Sequence, residues 1–200
     1  MHTRSDIRKR IRSQRRNLST NERRFAAYLV TKSISNLRVF RASKRVAFYL
    51  PNDGELDLSL LIQRAWMMKK VCYLPVLDTL TADQLKFAPY YQNTLMRVNC
   101  FGIQEPAVPV CQRVRANALD LVLLPLVAFD ARGNRIGMGG GFYDRTLSFL
   151  RKRRHWRKPH LLGVAYEFQK IDALHRHTWD VPLQCIVTDK HIYNPKPLSL

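Results

Sequence analysis

Five short apolar segments alternate with stretches of helical periodicity, and this alternation constrains the fold more than any other feature. The segments cover residues 46–50, 71–76, 121–129, 161–166 and 184–188. Each is apolar at successive positions, which is typical of strands buried on both faces of a sheet. Strands that alternate with helices form a mainly parallel sheet covered on both sides. We therefore predict an α/β fold, a three-layer sandwich whose mainly parallel sheet is covered by helices.

The N-terminal part of the chain predicts two amphipathic helices. A first helix can be capped by Ser5 and Asp6, and a capping box at residues 19–22 (STNE) opens a second. Apolar residues recur at helical spacing and leave the arginines on the opposite side. We predict a helical hairpin over residues 1–36 that packs on the sheet, so that residues 1–200 form a single domain.

Other stretches have weaker patterns. Helical periodicity predicts helices over residues 58–68 and from Tyr143 to about Arg153. Residues 77–114 are the least regular part of the chain. We predict a β-rich excursion or a long connection there rather than a separate domain.

Most of the positive charge is confined to two segments. The chain has 34 basic and 15 acidic residues, a net charge of +19. Residues 1–45 contain 14 basic and two acidic side chains, and residues 151–160 add six basic side chains and no acid. These two segments account for +18, and the remainder is nearly neutral. This distribution indicates anionic partners at two basic patches rather than a uniformly basic protein that coats nucleic acid.

The sequence has no apolar run near the roughly 20 residues that a membrane-spanning helix needs. Its arginine-rich start lacks the apolar segment of a secretory signal, and its capped, periodic pattern favours folded helices over a transit peptide. We therefore expect a cytoplasmic protein that has no membrane partner. Separately, we expect a monomer.

Residues 133–145 (GNRIGMGGGFYDR) place a run of glycines between a predicted strand and a predicted helix. Backbone N–H groups and the helix dipole at such a position make a site for an anion such as phosphate, and glycine allows its close approach. The segment is neither a Walker A loop nor GxGxxG, because Gly-Lys-Ser/Thr is absent and Phe142 occupies the last glycine position. A flexible turn is the alternative, but Arg135 and Arg145 flank the loop and favour a phosphate site.

Two aspartates are candidate ligands of one metal ion. Asp144 lies at the start of the predicted helix, where it can hold a metal that bridges phosphates, and Asp180 precedes the last predicted strand. Strand ends meet at one edge of an open α/β sheet, so both carboxylates can reach one magnesium ion. Asp180 can instead be a turn or cap residue, and Glu55 can be a first-turn helix acid.

Together these motifs resemble the 5-formyltetrahydrofolate cyclo-ligase family, also called 5,10-methenyltetrahydrofolate synthetases. The resemblance runs nearly end to end, and the glycine-rich stretch with its Tyr-Asp end is its most specific part. It rests on residues 8–12, 49–55, 70–75, 101–106, 120–130, 133–145 and 163–169, and on Asp180.

This resemblance implies an enzyme that uses ATP and Mg²⁺ to convert 5-formyltetrahydrofolate, with or without a polyglutamate tail, to 5,10-methenyltetrahydrofolate, with release of ADP and phosphate. A formamide oxygen is a poor leaving group. Its phosphorylation creates an iminium-like phosphate that folate N10 can attack. Such a transfer requires mainly positioning and charge neutralisation, which agrees with a sequence that has no Ser-His-Asp or Cys-His pattern.

The resemblance also implies roles for individual residues. Arg8 and Arg12 would contact the ATP phosphates, and Arg135 and Tyr143 would be catalytic. The loop that would wrap the nucleotide consists of Asn134, Arg135, Ile136, Gly137, Met138, Gly139, Gly140, Gly141, Phe142 and Tyr143. The implied folate contacts are Leu50, Glu55, Met138, Gly139, Gly140, Gly141 and Phe142, and the implied magnesium ligands are Asp144 and Asp180.

The sequence departs from the family pattern at four of these positions. Some members have lysine in place of Arg8 and basic residues in place of Met138 and Gly140. Phe142 replaces a tyrosine found in many members, which removes a hydroxyl group and keeps the ring. The loop itself therefore offers backbone N–H groups and Arg135, rather than several basic side chains, for phosphate contacts.

Two other functions are open at this point. The two basic segments can form one surface that binds RNA or DNA with an affinity that falls steeply with salt, and this is the main alternative. The chain can also be a pseudoenzyme that binds folate without turnover, although suitable residues are present at its predicted metal and phosphate positions.

Overall fold

The computed structural model of the chain describes residues 3–78, 81, 83–152 and 158–195. The helices in these residues are α1 (Arg4–Asn17), α2 (Thr20–Asn36), α3 (Arg38–Ala42), α4 (Ser59–Met67) and α5 (Phe142–Thr146). The strands are β1 (Arg45–Ala47), β2 (Val71–Leu77), β3 (Leu85–Pro89), β4 (Met96–Val98), β5 (Gln104–Pro106), β6 (Leu121–Pro125), β7 (Ala128–Phe129), β8 (Arg135–Ile136), β9 (His160–Val164), β10 (Cys185–Val187) and β11 (Ile192–Tyr193).

Seven of the described strands form one sheet in the order β11-β10-β9-β6-β1-β2-β3. The five central strands are parallel, and β3 and β11 pair antiparallel at the two edges. Alternate side chains are buried on opposite faces: Val46 and Phe48 pack with residues of α2 and α4, whereas Ala47 and Val122 pack with Leu147 on the other face. The predicted α/β fold with a mainly parallel, covered sheet is confirmed.

Each predicted strand segment contains a strand, but one of them is divided. Residues 121–129 form β6 and then β7, because β7 leaves the sheet and pairs with β8 in a separate hairpin. Residues 77–114 contain β3 and the β4-β5 hairpin, as predicted for a β-rich excursion. None of the described helices is long and apolar enough to cross a membrane.

The helix predicted from Tyr143 to about Arg153 is much shorter than expected. α5 ends at Thr146, and a 3₁₀ turn follows at Ser148–Lys152. The Thr146 hydroxyl accepts a hydrogen bond from the Leu85 N–H at 2.8 Å, which ties the end of α5 to β3. Arg153 and the rest of residues 153–157 lie outside the described part of the chain.

Two capping boxes define the N-terminal helical hairpin. The predicted box at residues 19–22 is confirmed, since Ser19 and Glu22 exchange hydrogen bonds at the start of α2. The first helix begins earlier than predicted, because Thr3 is its N-cap and Asp6 is the third helical residue of a second box. The sequence contains this start signal, since Thr3 and Asp6 have the Thr-x-x-Asp spacing of a capping box and Thr3 lies two residues before Ser5.

A cluster of charges ties α1 to the end of β1. Asp53 adopts a left-handed conformation (φ +50°) in the turn after this strand. Its carboxylate accepts hydrogen bonds from Arg12, from Arg16 at 2.6 Å and from the fully buried Arg15 at 3.1 Å. Burial opposes ionisation, but the arginine hydrogen bonds lower the pKa of Asp53 below its usual range. Arg15 also donates to the Leu126 carbonyl, so α1 crosses the carboxyl ends of β1 and β6.

Asp53→Asn is expected to lower the free energy of unfolding by about 3 kcal/mol, because the buried Arg15 loses most of its counter-charge and stays buried. Asparagine tolerates the left-handed conformation, so the backbone is not strained by the change. Urea denaturation at pH 7 measures the effect. Asp172→Asn removes the same charge from an exposed site and should change the free energy by less than about 0.5 kcal/mol. Equal losses in the two variants would contradict the anchoring role of Asp53.

Candidate active site

A cleft of about 1070 Å³ lies at the carboxyl ends of β1, β2 and β6. The strand order changes direction at β1, since β2 lies on one side of it and β6 on the other. Ligands bind to open α/β sheets at such a switch point. Side chains at the strand ends, among them Tyr49 and Pro125, form the floor, and the walls come from the start of α1, residues 137–141 and the β4-β5 hairpin.

The glycine-rich loop, residues 137–141, joins β8 to α5 and forms one wall of the cleft. Gly139 and Gly141 have φ angles of +113° and +66°, which side chains rarely adopt. The predicted loop between a strand and a helix is therefore present. Because α5 has only five residues, positive potential at the loop comes from its N–H groups and neighbouring arginines rather than from a long helix dipole.

Arginines approach the glycine-rich loop from two sides. Arg8 of α1 donates from Nε to the Gly137 carbonyl at 2.8 Å, and Arg145 of α5 donates from Nη2 to the Gly140 carbonyl at 2.7 Å. Arg4 lies one helical turn before Arg8 and also lines the cleft. Partial burial and the charge of Arg4 lower the pKa of Arg8. The cleft thus concentrates positive charge beside backbone that carries no side chain.

Arg135 is buried beneath the loop and joins the segments of the two predicted metal ligands. Its Nη2 donates to Asp144 Oδ1 at 2.6 Å, and its Nη1 donates to the Val181 carbonyl. The Val181 N–H donates to the same oxygen of Asp144 at 3.2 Å. Burial lowers the pKa of Arg135, and the Asp144 carboxylate opposes this. Asp144 is thereby held next to the residue that follows Asp180.

The two aspartates suit a magnesium ion that is shared with a nucleotide. Asp144 accepts its hydrogen bonds from described residues on Oδ1, and Asp180 accepts those of Arg4 and His177 on Oδ2. Each carboxylate therefore keeps its other oxygen for a ligand. No group of three or more acidic, histidine or cysteine side chains in the described chain could hold a metal alone. Mg²⁺ usually combines one or two carboxylates with phosphates and water, which this pair allows.

Glu55 lines the same cleft, and its side chain is largely buried. Its Oε2 accepts from the Asn52 N–H at 3.2 Å, and its Oε1 lies 3.9 Å from Nη1 of Arg15. Burial raises the pKa of Glu55 to about 7, although the charge of Arg15 opposes this. Burial, with a contribution from Glu55, also raises the pKa of Tyr143, so this phenol stays neutral. A carboxyl and a neutral hydroxyl can hydrogen-bond the polar edge of a heterocycle.

Most of the predicted site residues line this cleft. Those that do are Arg8, Leu50, Glu55, Arg135, Gly137, Met138, Gly139, Gly140, Gly141, Phe142, Tyr143, Asp144 and Asp180. Three others have different surroundings. Arg12 is bound to Asp53, the Asn134 amide donates to Asp130 at 2.8 Å, and Ile136 is buried in a small core cluster. Side-chain contacts from these three to a nucleotide have no support in the geometry.

Some cleft residues were not predicted from the sequence. Arg4 is spaced from Arg8 by one helical turn, as Arg12 is, and the periodicity alone does not tell these two neighbours apart. Phe101, in the β4-β5 hairpin, packs edge-on against Phe142 with ring centroids 5.7 Å apart. Trp179 also lines the cleft. The irregular pattern around these two aromatic residues gave no indication of where they lie.

A ligand cleft at the switch point of a mainly parallel sheet is typical of α/β enzymes, and the architecture places the chain in that class. The sequence matches the 5-formyltetrahydrofolate cyclo-ligase family over residues 1–189. It is 43% identical over 182 residues to the 5-formyltetrahydrofolate cyclo-ligase of Haemophilus influenzae, covering 90% of this chain and 94% of that one.

More distant relatives agree with this match. The 5-formyltetrahydrofolate cyclo-ligase of Mus musculus is 26% identical over 200 residues, which cover 98% of this chain and 94% of the mouse protein. The solved structure of Aquifex aeolicus 5,10-methenyltetrahydrofolate synthetase has a TM-score of 0.81 and 35% identity, covering 98% of this chain and 95% of its own. The chain belongs to the 5-formyltetrahydrofolate cyclo-ligase family and is an enzyme of the ligase class, which confirms the predicted resemblance.

Glu55→Gln is expected to stabilise the protein more at pH 8 than at pH 5. With a pKa of about 7, folded Glu55 keeps a proton that the unfolded chain releases from about pH 4.5 upwards, so native stability falls as the pH rises through this window. Glutamine has no charge to bury. The variant's advantage in free energy of unfolding should therefore grow by about 2 kcal/mol between the two pH values.

Urea denaturation of both proteins at pH 5 and pH 8 measures this change. Asp172→Asn, at an exposed site, serves as the control. Its free energy of unfolding should differ from that of the native protein by the same small amount at both pH values. A pH-independent difference for the Glu55 variant would contradict the raised pKa.

Proposed function

We propose that the chain converts 5-formyltetrahydrofolate to 5,10-methenyltetrahydrofolate with the use of ATP and Mg²⁺, releasing ADP and phosphate. Family membership supports the reaction class and the use of ATP. The observation that carries the proposal is that two unlike groups of residues line one cleft. Residues 137–141 and their arginines suit phosphate, and the buried Glu55 with Tyr143 suits a heterocycle.

The nucleotide phosphates would lie against the glycine-rich loop. Its backbone N–H groups and Arg8 would bind them, and Arg4 stands beside Arg8 on the same face of α1. Arg12 is the less suitable candidate for this role, since Asp53 already binds its guanidinium. Arg135 would act as a positioning residue, because its donors are directed at Asp144 and the Val181 carbonyl.

Asp144 and Asp180 would hold Mg²⁺ jointly with the phosphates. The ion would neutralise charge that develops on the phosphate oxygens during transfer. Arg135 and Arg4 each bind one oxygen of these carboxylates and leave the other oxygen for the metal. Burial opposes ionisation of Asp180, but the hydrogen bond from Arg4 lowers its pKa, so this ligand is charged at neutral pH.

Folate would occupy the half of the cleft that contains Leu50, Glu55 and Tyr143, with its formyl group towards the loop. The formyl oxygen attacks the γ-phosphorus as ADP leaves. Folate N10 then attacks the formyl carbon and loses its proton, and the bond from this carbon to the phosphorylated oxygen breaks to release phosphate. These steps need alignment of substrates and not a protein nucleophile, which suits a cleft made of positioned donors.

The nucleic-acid alternative has less support. Several basic side chains of α1 are bound within the protein, since Arg12, Arg15 and Arg16 meet at Asp53. The relatives named above are folate cyclo-ligases or synthetases. Much of the second basic segment, residues 153–157, lies outside the described part of the chain.

Absorbance at the methenyl-folate band tests the proposed reaction. Purified protein mixed with 5-formyltetrahydrofolate and Mg²⁺ should give an increase only when ATP is added, with release of one ADP per methenyl product. Chelation of divalent cations with EDTA should stop the increase, and excess Mg²⁺ should restore it. No ATP-dependent increase from protein that is folded by circular dichroism would overturn the proposed function.

Asp144→Asn should lower kcat at least 100-fold, because the change removes a charged metal ligand and weakens the positioning by Arg135. The far-ultraviolet circular dichroism of the variant should match that of the native protein. Asp172→Asn removes the same charge at an exposed position that does not line the cleft and should keep native rates. Native turnover by the Asp144 variant would exclude this residue as a ligand.

A further inference from the structure

We propose that Arg145 is a phosphate-binding residue of the cleft, and that its guanidinium takes the place of basic side chains that the glycine-rich loop lacks. The inference rests on the proposed function, because it concerns the nucleotide half of the same cleft. Arg145 belongs to the last turn of α5, outside the loop, and neither the resemblance nor the proposed reaction assigns it a role.

The Arg145 side chain folds back over the loop that precedes its own helix. Its Nη2 donates to the Gly140 carbonyl at 2.7 Å, and its Nε donates to the Asp83 carbonyl at 2.7 Å. Its guanidinium carbon lies 5.2 Å from the ring centroid of Phe142. Nη1 donates to none of the described residues and lies beside Gly141. The guanidinium is thus held at the cleft wall with unused donors.

The glycines of the loop are what allow this position. A Cβ at Gly141 would lie 2.7 Å from Nη1 of Arg145, and a Cβ at Gly140 would lie 2.8 Å from the Phe142 ring. Side chains at these two positions would therefore displace either the guanidinium or the ring against which it packs. The glycines of the loop carry no side chains that could bind phosphate. Arg145 instead supplies a planar cation with several donors, which suits phosphate oxygens.

The charge of Arg145 is only weakly compensated within the protein. Its carboxylate neighbour is Asp83, whose Oδ2 lies 3.3 Å from Nε, and the two side chains are 42% and 52% exposed. Ion pairs this exposed contribute little and exchange easily with water or a ligand. Arg135, in contrast, is buried against Asp144, and Arg4 is bound to the largely buried Asp180. Arg145 therefore retains charge for an incoming anion.

Arg8 and Arg145 lie at opposite ends of the loop. Arg8 donates to the Gly137 carbonyl and lies 3.8 Å from a Cβ position at Gly139, whereas Arg145 donates to Gly140. Neither guanidinium has a buried carboxylate partner among the described residues. Two such cations on either side of exposed backbone N–H groups form a site for the polyphosphate of a nucleotide rather than for a single small anion.

Two substitutions at Arg145 separate its charge from its hydrogen bond. Arg145→Gln keeps an N–H donor at the position of Nε, which bonds the Asp83 carbonyl, and loses the charge, whereas Arg145→Lys keeps the charge. Arg64→Gln, on the exposed face of α4, is the control for loss of one positive charge. Titration calorimetry with MgATP and no folate measures the Kd, and steady-state rates give KM for each substrate. Thermal melts confirm that each variant is folded.

Arg145→Gln should raise the Kd and the KM for ATP about tenfold or more, while the KM for folate changes less than threefold. Arg145→Lys should raise the Kd and the KM for ATP about threefold or less. Arg64→Gln should have the same Kd and KM as the native protein. Equal losses in the glutamine and lysine variants would overturn the phosphate contact and leave Arg145 as a residue that only holds the loop. Unchanged affinity in both variants would also overturn it.

The two proposals fail in different ways. A native protein that binds ATP without converting folate would refute the proposed function, and the calorimetry would still decide the role of Arg145. A native protein that converts folate and whose glutamine variant binds ATP normally would refute only the role of Arg145. A native protein that binds no ATP would refute both.

Discussion

The position of α1 depends on one carboxylate. Asp53, in a turn with left-handed geometry, binds guanidinium groups of Arg12, Arg15 and Arg16 from two successive turns of the helix. Because this turn lies on the segment that follows β1, the cluster fixes the helix near the end of the strand at which the sheet changes direction. Ile11, on the same helix, is buried against Val127 and Ile136, so an apolar contact next to the cluster sets the rotation of the helix.

This anchor determines which arginines reach the cleft. Arginines at positions 4, 8, 12 and 16 follow one another at a spacing of four residues, so they form a stripe along one side of α1. The C-terminal end of the stripe is neutralised by Asp53, and the N-terminal end extends over the glycine-rich loop and Asp180. One helix thus supplies both the charge that stabilises its packing and the charge that lines the cleft.

The sequence predicted the features that depend on neighbouring residues, and it did not predict the features that depend on tertiary contacts. Apolar runs predicted the sheet, and the glycine spacing predicted the loop of residues 137–141, because both patterns consist of residues that are adjacent in the chain. The choice between Arg4 and Arg12 as a cleft residue depends on where Asp53 lies, and the helical period does not contain that information. The early end of α5 depends on the bond from Leu85 to Thr146 and on burial of Leu147, both set by packing.

Arg15 connects the anchor of α1 to Glu55 and to the glycine-rich loop. It is fully buried, binds Asp53, lies 3.9 Å from Glu55 and has its Nη2 3.8 Å from the Met138 sulfur in the glycine-rich loop. A buried cation needs nearby negative charge, and here that charge comes from Asp53, which holds the helix, and from Glu55, which lines the cleft. The stability of the helix anchor and the ionisation of Glu55 are therefore linked. A charged Glu55 compensates part of the charge of Arg15. When Glu55 is protonated, Asp53 is the carboxylate that compensates this charge.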